Sequence, residues 1–180
     1  DLGSQSYGSL LRRDLRGCKQ IHIVGAGGFV KDLMPWLNKD GAKIVVHARN
    51  ILKAQQTLNE FSNIEFQSLE QLQVGAGVLL VAAPIAARDL VFSHESSHGD
   101  SPGMSSGFDL LVDLRGDAHI DQVKFSKKKI DLQELLSRIQ ANQEFLEAKK
   151  RDALCEIEMI VEDRSRSIEY RPFGWEDVCA

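Results

Sequence analysis

The chain has 180 residues, 43% of them hydrophobic, which suits one domain of about 100–150 residues plus an appendage. Its formal net charge of −4 excludes a basic surface over the whole protein and leaves RNA binding only to a local patch or another domain. No segment has the pattern of a signal peptide, and no apolar run is long enough to span a membrane.

The cysteines predict the compartment. Cys18, Cys155 and Cys179 are odd in number, far apart and without CxxC spacing. This pattern indicates free thiols in a reducing cytoplasm rather than a disulfide framework or a zinc site. We therefore expect a cytoplasmic protein, no metal site and no catalytic cysteine among the three.

The chain begins with a predicted short helix in residues 1–17, with Ser4 or Ser6 as its N-cap. The order strand, glycine turn, helix and strand follows within residues 20–50. The β-branched run from Gln20 to Val24 leads into the turn, and a second such run covers Lys43 to His47. This order within about 30 residues is the opening unit of a dinucleotide-binding domain.

The turn reads Gly25-Ala26-Gly27-Gly28-Phe29-Val30. Gly25 ends the strand with backbone angles that a side chain would resist, and Gly27 lets the backbone approach a pyrophosphate closely. The following helix directs its free N–H groups at the phosphates. The third glycine of the fingerprint is replaced by Val30, so we expect helix and strand to pack slightly farther apart. A glycine-rich turn that binds nothing is the alternative interpretation.

The end of the second strand predicts the type of nucleotide. It reads His47-Ala48-Arg49-Asn50, with Lys53 one turn later and no acid before Glu60. An acid at this point takes the ribose 2′-hydroxyl of NAD, whereas an arginine accommodates the 2′-phosphate of NADP. The pattern favours NADPH, although a solvated charge at a helix start is also common.

Two further strands follow, at residues 64–66 and 78–81. The second is a continuous apolar run typical of a buried parallel strand, and Ala82-Ala83-Pro84 after it lies where open α/β sheets bind ligands. We interpret this segment as the cofactor side of the sheet, with a plain loop as the alternative. The predicted cofactor-binding residues are Gly25, Ala26, Gly27, Gly28, Phe29, Ala48, Arg49, Asn50, Lys53, Ala83 and Pro84.

Residues 93–107, rich in Ser, Gly and His, predict a flexible surface loop. Another buried strand follows at residues 108–113, and we interpret the basic cluster at residues 126–129 as a solvated turn. The alternation of strands and helices predicts an α/β fold with a Rossmann-type doubly wound parallel sheet.

From Asp131 the pattern changes to one long helix. Asp131 and Glu134 have the spacing of a capping box, and apolar residues then recur at helical spacing with no Gly or Pro before Pro172. A helix of about 35–40 residues is far above the mean of about 11–12. We predict a nucleotide-binding domain in residues 1–130 and a linker helix with a tail in residues 131–180. The helix must bridge to another domain or to a partner chain, such as a second copy.

Taken together, these pieces resemble the glutamyl-tRNA reductase family over nearly the whole chain. The matching segments are Gly3-Ser4 with Ser6-Tyr7, Ile23-Val24-Gly25-Ala26-Gly27, Ala48-Arg49-Asn50 with Lys53-Ala54, Leu111-Val112-Asp113-Leu114, Ile120-Asp121, Asp131-Leu132-Gln133, Asn142, and the stretch from Ala148 to Glu162. Only the glycine turn among them is specific.

The resemblance implies an NADPH-dependent reduction of glutamyl-tRNA to glutamate-1-semialdehyde, in tetrapyrrole biosynthesis. It also implies that glutamyl-tRNA and the catalytic cysteine belong to an N-terminal domain, because the family's Thr-Cys-Asn-Arg stretch has no match here. The family's Ala-Val-Pro-Arg is reduced to Leu114-Arg115-Gly116, and its dimerisation domain has no counterpart. We therefore expect this chain to supply the NADPH-binding domain and the start of the spinal helix.

Two other classes stay open. One is a non-catalytic regulatory or interaction module, in which a degenerate Rossmann domain presents the long helix. The other is a different NAD(P)-dependent dehydrogenase, of the shikimate or sirohaem type, whose catalytic residues we do not find in this sequence.

Overall fold

The computed structural model describes residues 6–72, 76–90, 107–116 and 120–169, with side chains described to residue 167. Its centre is a six-stranded parallel sheet in the order β3-β2-β1-β4-β5-β6. The strands are β1 (Gln20–Val24), β2 (Lys43–Ala48), β3 (Ile64–Ser68), β4 (Gly77–Val81), β5 (Phe108–Asp113) and β6 (Lys128–Asp131). The helices are α1 (Tyr7–Asp14), α2 (Gly28–Leu37), α3 (Ile51–Thr57) and α4 (Leu132–Glu169). Short 3₁₀ turns cover Asn38–Asp40, Leu69–Gln71 and Ala87–Leu90.

The predicted fold class is confirmed: a Rossmann-type parallel sheet is followed by a long C-terminal helix. The central strands carry apolar residues on both faces because both faces are covered. The chain starts in the middle of the sheet, builds outward through β2 and β3, and then returns to the other side of β1. That reversal opens a crevice at the carboxyl ends of β1 and β4.

Two apolar clusters lie against the sheet. The larger contains side chains from α1, α2 and the first turns of α4, including Leu10, Met34 and Leu135, all fully buried. The smaller contains Leu79 and Phe108. Together they form the core that fixes the strand ends around the crevice.

The leading helix α1 begins after one of the two N-caps that the sequence predicted. Ser6 is the N-cap of α1, and its hydroxyl accepts a hydrogen bond from the Ser9 backbone N–H at 3.2 Å. Ser4, the other predicted cap, lies outside the described residues. Asp14 at the end of α1 accepts two hydrogen bonds from Arg138, at 2.6 and 3.1 Å, and so ties α1 to the start of α4.

The basic cluster at residues 126–129 is a correction to the sequence analysis. Lys128 and Lys129 belong to the edge strand β6, in which Ile130 pairs with Val112 of β5. Ile130 is buried, Lys128 is exposed and Lys129 is partly exposed, so a single apolar side chain anchors this strand. The predicted loop at residues 93–107 lies outside the described residues, except for Gly107.

Backbone contacts divide the chain into two units. One comprises residues 4–139 and contains the sheet; the other comprises residues 140–180 with residues 1–3. In the second unit the described residues are a continuation of α4, a helix of 38 residues as the sequence predicted. No helix in the described residues is both long and apolar enough to cross a membrane.

Candidate functional site

A cavity of about 240 Å³ opens at the carboxyl ends of β1, β2 and β4. The structure brings most of the predicted cofactor-binding residues together around it: Gly25, Ala26, Gly27, Ala48, Arg49, Asn50, Lys53 and Ala83. This is the position at which open α/β sheets bind ligands, because the strand order reverses there.

Three predicted residues lie outside the cavity wall. Gly28 is exposed in the first turn of α2, and Pro84 is exposed after β4. Phe29 packs edge-to-face on Tyr7, with ring centroids 5.8 Å apart, and so fastens α2 to α1. Val30, in place of the third glycine, is buried in the larger apolar cluster.

The two glycines of the turn have different surroundings. Gly25 has φ +109°, and a Cβ there would lie 2.9 Å from the Cβ of Ala83, so this position excludes a side chain. Its N–H donates to the His47 carbonyl at 2.9 Å. Gly27 is the N-cap of α2 with an ordinary φ of −80°, and a Cβ there would meet nothing within 4 Å. Gly27 therefore keeps open a space beside the helix N-terminus that a side chain would fill.

The end of β2 places two cations at the cavity. Asn50 caps α3 through a hydrogen bond from the Lys53 backbone N–H, at 3.0 Å, which positions Arg49 and Lys53 on the same helix start. Both side chains are exposed, and neither forms an ion pair within the described residues. Among the described residues, no carboxylate lines the cavity. An anionic ligand would meet two available positive charges here.

His47, Ala54, Leu69 and Ile85 also line the cavity, and the sequence analysis did not assign them to it. Leu69 and Ile85 come from segments after β3 and β4 that only the folded sheet brings together. The sequence did contain a signal for His47, because it is the last inward-facing residue of a strand that ends at the crevice.

Below the cavity lies a buried chain of polar side chains on one face of β1 and β2. The Gln20 amide nitrogen is 2.8 Å from His22 Nε2, and His22 Nδ1 is 3.0 Å from His47 Nε2. With the Gln20 amide assigned as a donor, each imidazole accepts on Nε2 and carries its proton on Nδ1. His47 Nδ1 is buried and has no well-aligned hydrogen-bond partner among the described residues, although the nearby Ser68 backbone partly offsets the lowering of the His47 pKa. Burial is the main cause that lowers the pKa of both histidines.

The end of β5 carries a buried ion pair rather than a binding group. Arg115 donates to both carboxylate oxygens of Asp113 at 2.9 Å, and neither side chain is exposed. The same guanidinium donates to the Ile85 carbonyl at 2.6 Å and to the Asp121 carbonyl at 2.7 Å. The Asp121 carboxylate accepts from the Ala87 N–H at 2.5 Å. This network fastens the loop after β4, including the Ile85 wall, to the end of β5.

Neither of the two described cysteines, Cys18 and Cys155, lines the cavity. Cys18 is half-buried ahead of β1, and burial raises the pKa of its thiol, which opposes a nucleophilic thiolate. Cys155 is exposed on α4, and Cys179 lies outside the described residues. Among the described residues, no three His, Cys, Asp or Glu side chains are grouped to hold a metal ion.

No protein-family model and no curated protein matches the sequence. Similar solved structures include the nucleotide-binding domain of glutamyl-tRNA reductase from Thermoplasma volcanium, with 18% identity and a TM-score of 0.56, over 81% of this chain and 99% of that one. Glutamyl-tRNA reductase from Methanopyrus kandleri has 20% identity and a TM-score of 0.53, over 93% of this chain and 44% of that one.

A chorismate mutase/shikimate 5-dehydrogenase fusion protein from Clostridium acetobutylicum has 21% identity and a TM-score of 0.52. The similarity covers 87% of this chain and 58% of the fusion protein, so this chain spans less than two thirds of that relative. At these identities the likenesses show the fold alone, and the chain has the Rossmann-type fold found in these proteins.

Proposed function

We propose that this chain is the NADPH-binding part of an oxidoreductase of the glutamyl-tRNA reductase type. The observation that carries the proposal is the wall of the cavity: a glycine turn at a helix N-terminus stands opposite Arg49 and Lys53, and none of the described residues that line it is a carboxylate. A 2′-phosphate gains two cations in such a wall, whereas the ribose 2′-hydroxyl of NADH finds no acidic partner.

The residues of this chain fit a dinucleotide phosphate. The open space over Gly27 and the uncapped start of α2 suit the pyrophosphate, because N–H groups and the positive end of the helix dipole face it. Arg49 and Lys53 suit the 2′-phosphate. When bound, NADPH supplies a hydride; the chain itself binds and orients the nucleotide. The acyl group that is reduced would be a glutamyl thioester on a cysteine outside these residues, and the domain that carries this cysteine would also contact glutamyl-tRNA.

Two of the similar structures are glutamyl-tRNA reductases by name, and one of them is a nucleotide-binding domain of nearly the same extent as this chain. These likenesses support the proposal together with the sequence resemblance. Tetrapyrrole biosynthesis and a cytoplasmic location are parts of the same proposal.

A dehydrogenase of the shikimate type is the second candidate, and the likeness to the Clostridium acetobutylicum fusion protein favours it. Such an enzyme would share the nucleotide site and differ in the acceptor. The two candidates are therefore separated by the substrate, not by the nucleotide.

The direct test consists of two activity assays. One supplies glutamyl-tRNA with NADPH, and the other supplies shikimate with NADP⁺. The 180-residue chain alone should reduce nothing, because neither of its described cysteines lines the cavity and the family's Thr-Cys-Asn-Arg stretch has no match in the sequence. A natural version extended upstream should oxidise NADPH and release the semialdehyde only with glutamyl-tRNA. Activity of the extended form with shikimate alone favours the second candidate. Turnover of glutamyl-tRNA by the 180-residue chain, lost on changing one of its cysteines to Ser, contradicts the proposal.

A further inference from the structure

A second cavity lies at the other end of α2 from the nucleotide cavity. Its volume is about 350 Å³, and it is lined by Ser9, Arg12, Arg13, Arg16, Trp36 and Asp40. Trp36 belongs to the last turn of α2, whose ten residues extend about 15 Å from the glycine turn. The two cavities share no lining residue. We call the second cavity the arginine pocket.

The positive charges of the arginine pocket come from two segments of the chain. Arg12, Arg13 and Arg16 follow one another at helical spacing along one side of α1 and just beyond its end. The dipole of α1 favours cations in its last turn. It does not account for Lys39, which comes from the 3₁₀ turn after α2 and lies with its Nζ 4.4 Å from the ring centroid of Trp36.

One of the three guanidinium groups is fixed in place, and the other two are available. Arg12 donates to both carboxylate oxygens of Asp40, at 2.9 Å from Nε and 2.7 Å from Nη2. Arg13 and Arg16 are exposed and form no ion pair with a described residue. Asp40 is the one acid among the described residues that line the pocket, so the three arginines leave it a net charge of +2. An anion therefore meets more positive charge here than the wall itself neutralises.

The side of the pocket formed by α2 is held against α1. A Cβ on Gly8 would overlap the indole ring of Trp36, so the ring rests directly on the backbone of α1 at this point. Trp36 is half-buried, and the Arg12–Asp40 pair joins the same two segments beside it. The concave shape of the pocket thus depends on packed and paired groups, while Arg13 and Arg16 remain at its mouth.

We infer that the arginine pocket binds a small anion with at least two linked phosphate groups, at a site separate from the nucleotide cavity. A guanidinium presents a planar fork of N–H donors that matches phosphate oxygens. A carboxylate offers two oxygens to such donors, whereas each phosphate group offers three acceptor oxygens and up to two negative charges. Linked phosphates can therefore engage Arg13 and Arg16 together. The anion is either free or the polyphosphate end of a nucleotide, and the inference does not depend on the proposed NADPH site.

Trp36 provides the signal for the test because it lines the pocket. The sequence contains one other tryptophan, Trp175, so Trp175→Phe in the full chain leaves Trp36 as the sole emitter. Titration with pyrophosphate at constant ionic strength should change this emission saturably, with a Kd below about 1 mM. Acetate at the same ionic strength should cause no saturable change. A parallel titration with ATP identifies the source: tighter binding of ATP indicates a nucleotide, and tighter binding of pyrophosphate indicates the free anion.

Substitutions locate the bound anion. Arg13→Gln and Arg16→Gln should each raise the Kd for pyrophosphate about three- to tenfold, because each removes a charged donor and leaves the Arg12–Asp40 pair intact. Arg151→Gln is the matched control, since it makes the same change on α4 outside the pocket, and should leave the Kd unchanged. The melting temperature without ligand, measured for each variant, should equal that of the parent because the three arginines are exposed.

A double variant separates this site from the proposed nucleotide site. Arg49→Ala/Lys53→Ala removes both cations of the nucleotide cavity and should leave the Kd for pyrophosphate at Trp36 unchanged. A Kd that rises in this variant as in Arg13→Gln overturns the inference, because the anion would then occupy the nucleotide cavity. So does the same Kd in Arg13→Gln, Arg16→Gln and Arg151→Gln, or acetate binding as tight as that of pyrophosphate. Calorimetry repeats the titration, and no binding by either method up to about 10 mM also overturns it.

Discussion

Gly25 and Gly27 occupy one turn and have different physical roles. Gly25 serves the fold, because its positive φ and its contact with Ala83 leave no room for a side chain. Gly27 has an ordinary backbone and open space where a side chain would project. Contacts within the described residues do not require it to be small, and the proposed nucleotide, which would approach the backbone here, accounts for its size.

We expect Gly27→Val to fold normally and to lose nucleotide binding. Its melting temperature without ligand should change little, whereas the rise caused by NADPH should disappear because the valine occupies the space for the pyrophosphate. Gly25→Val is the matched control and should lower the melting temperature itself. If Gly27→Val also melts early without ligand, Gly27 serves the fold.

The His22–His47 pair predicts a pH dependence of stability. Burial lowers the pKa of both imidazoles below the usual value near 6.5, with Lys43 adding to the effect at His22 and His22 to that at His47. Protons therefore bind the unfolded state more readily than the folded one. The folded state keeps its full stability above the unfolded pKa and loses stability as the pH falls below it.

The check is the urea midpoint at about pH 7.5 and 5.5, the range in which histidine titrates. The unchanged protein should be less stable at the lower pH. The double variant His22→Gln/His47→Gln retains hydrogen-bonding groups without a titrating ring, and its midpoint should vary less. Equal pH dependence in both proteins would show that the pair does not carry the effect.

At the level of elements, Arg115 connects the end of β5 to the loop after β4. Its guanidinium makes a bidentate pair with buried Asp113 and also holds the Ile85 carbonyl, so the loop that forms one cavity wall depends on it. In the resemblance to the glutamyl-tRNA reductase family, Leu114-Arg115-Gly116 is a shortened form of the Ala-Val-Pro-Arg motif. The structure gives Arg115 a bracing position.

Arg115→Met should destabilise the protein by about 3–5 kcal/mol, because it leaves the Asp113 carboxylate buried without its partner. The double variant Asp113→Leu/Arg115→Met removes both charges and should be less destabilised than the single one. The free energy of unfolding of both variants, measured in urea, tests this expectation. A double variant that is as unstable as Arg115→Met, or more so, contradicts the account.

The elements that the sequence predicted best are those with a single strong pattern. The strands β1, β2, β4 and β5 are apolar runs bounded by turn residues, and α4 has a cap at Asp131 and no breaker. The edge strand β6 was missed because it contains only one buried apolar residue, Ile130, among lysines. An edge strand is exposed on one side, so its pattern is weak.

At the level of the whole molecule, the sheet order brings the site together. The glycine turn and the end of β2 are close in sequence and were predicted together, because one strand–helix–strand unit contains both. Leu69 and Ile85 follow β3 and β4, and only the pairing of β2 with β3 and of β1 with β4 places them at the same cavity. Local pattern contains no information on such contacts. The division into residues 1–130 and 131–180 stays a prediction.

The central claim is that the cavity takes NADPH in preference to NADH, and a titration of the 180-residue chain with both nucleotides tests it most directly. NADPH should bind more tightly. Arg49→Ala should weaken NADPH by about 1.5–3 kcal/mol, which is roughly ten- to hundredfold in Kd, and should change NADH little, because the lost contact is to the 2′-phosphate. Tighter binding of NADH by the unchanged chain, or equal losses for the two nucleotides in Arg49→Ala, would contradict the account.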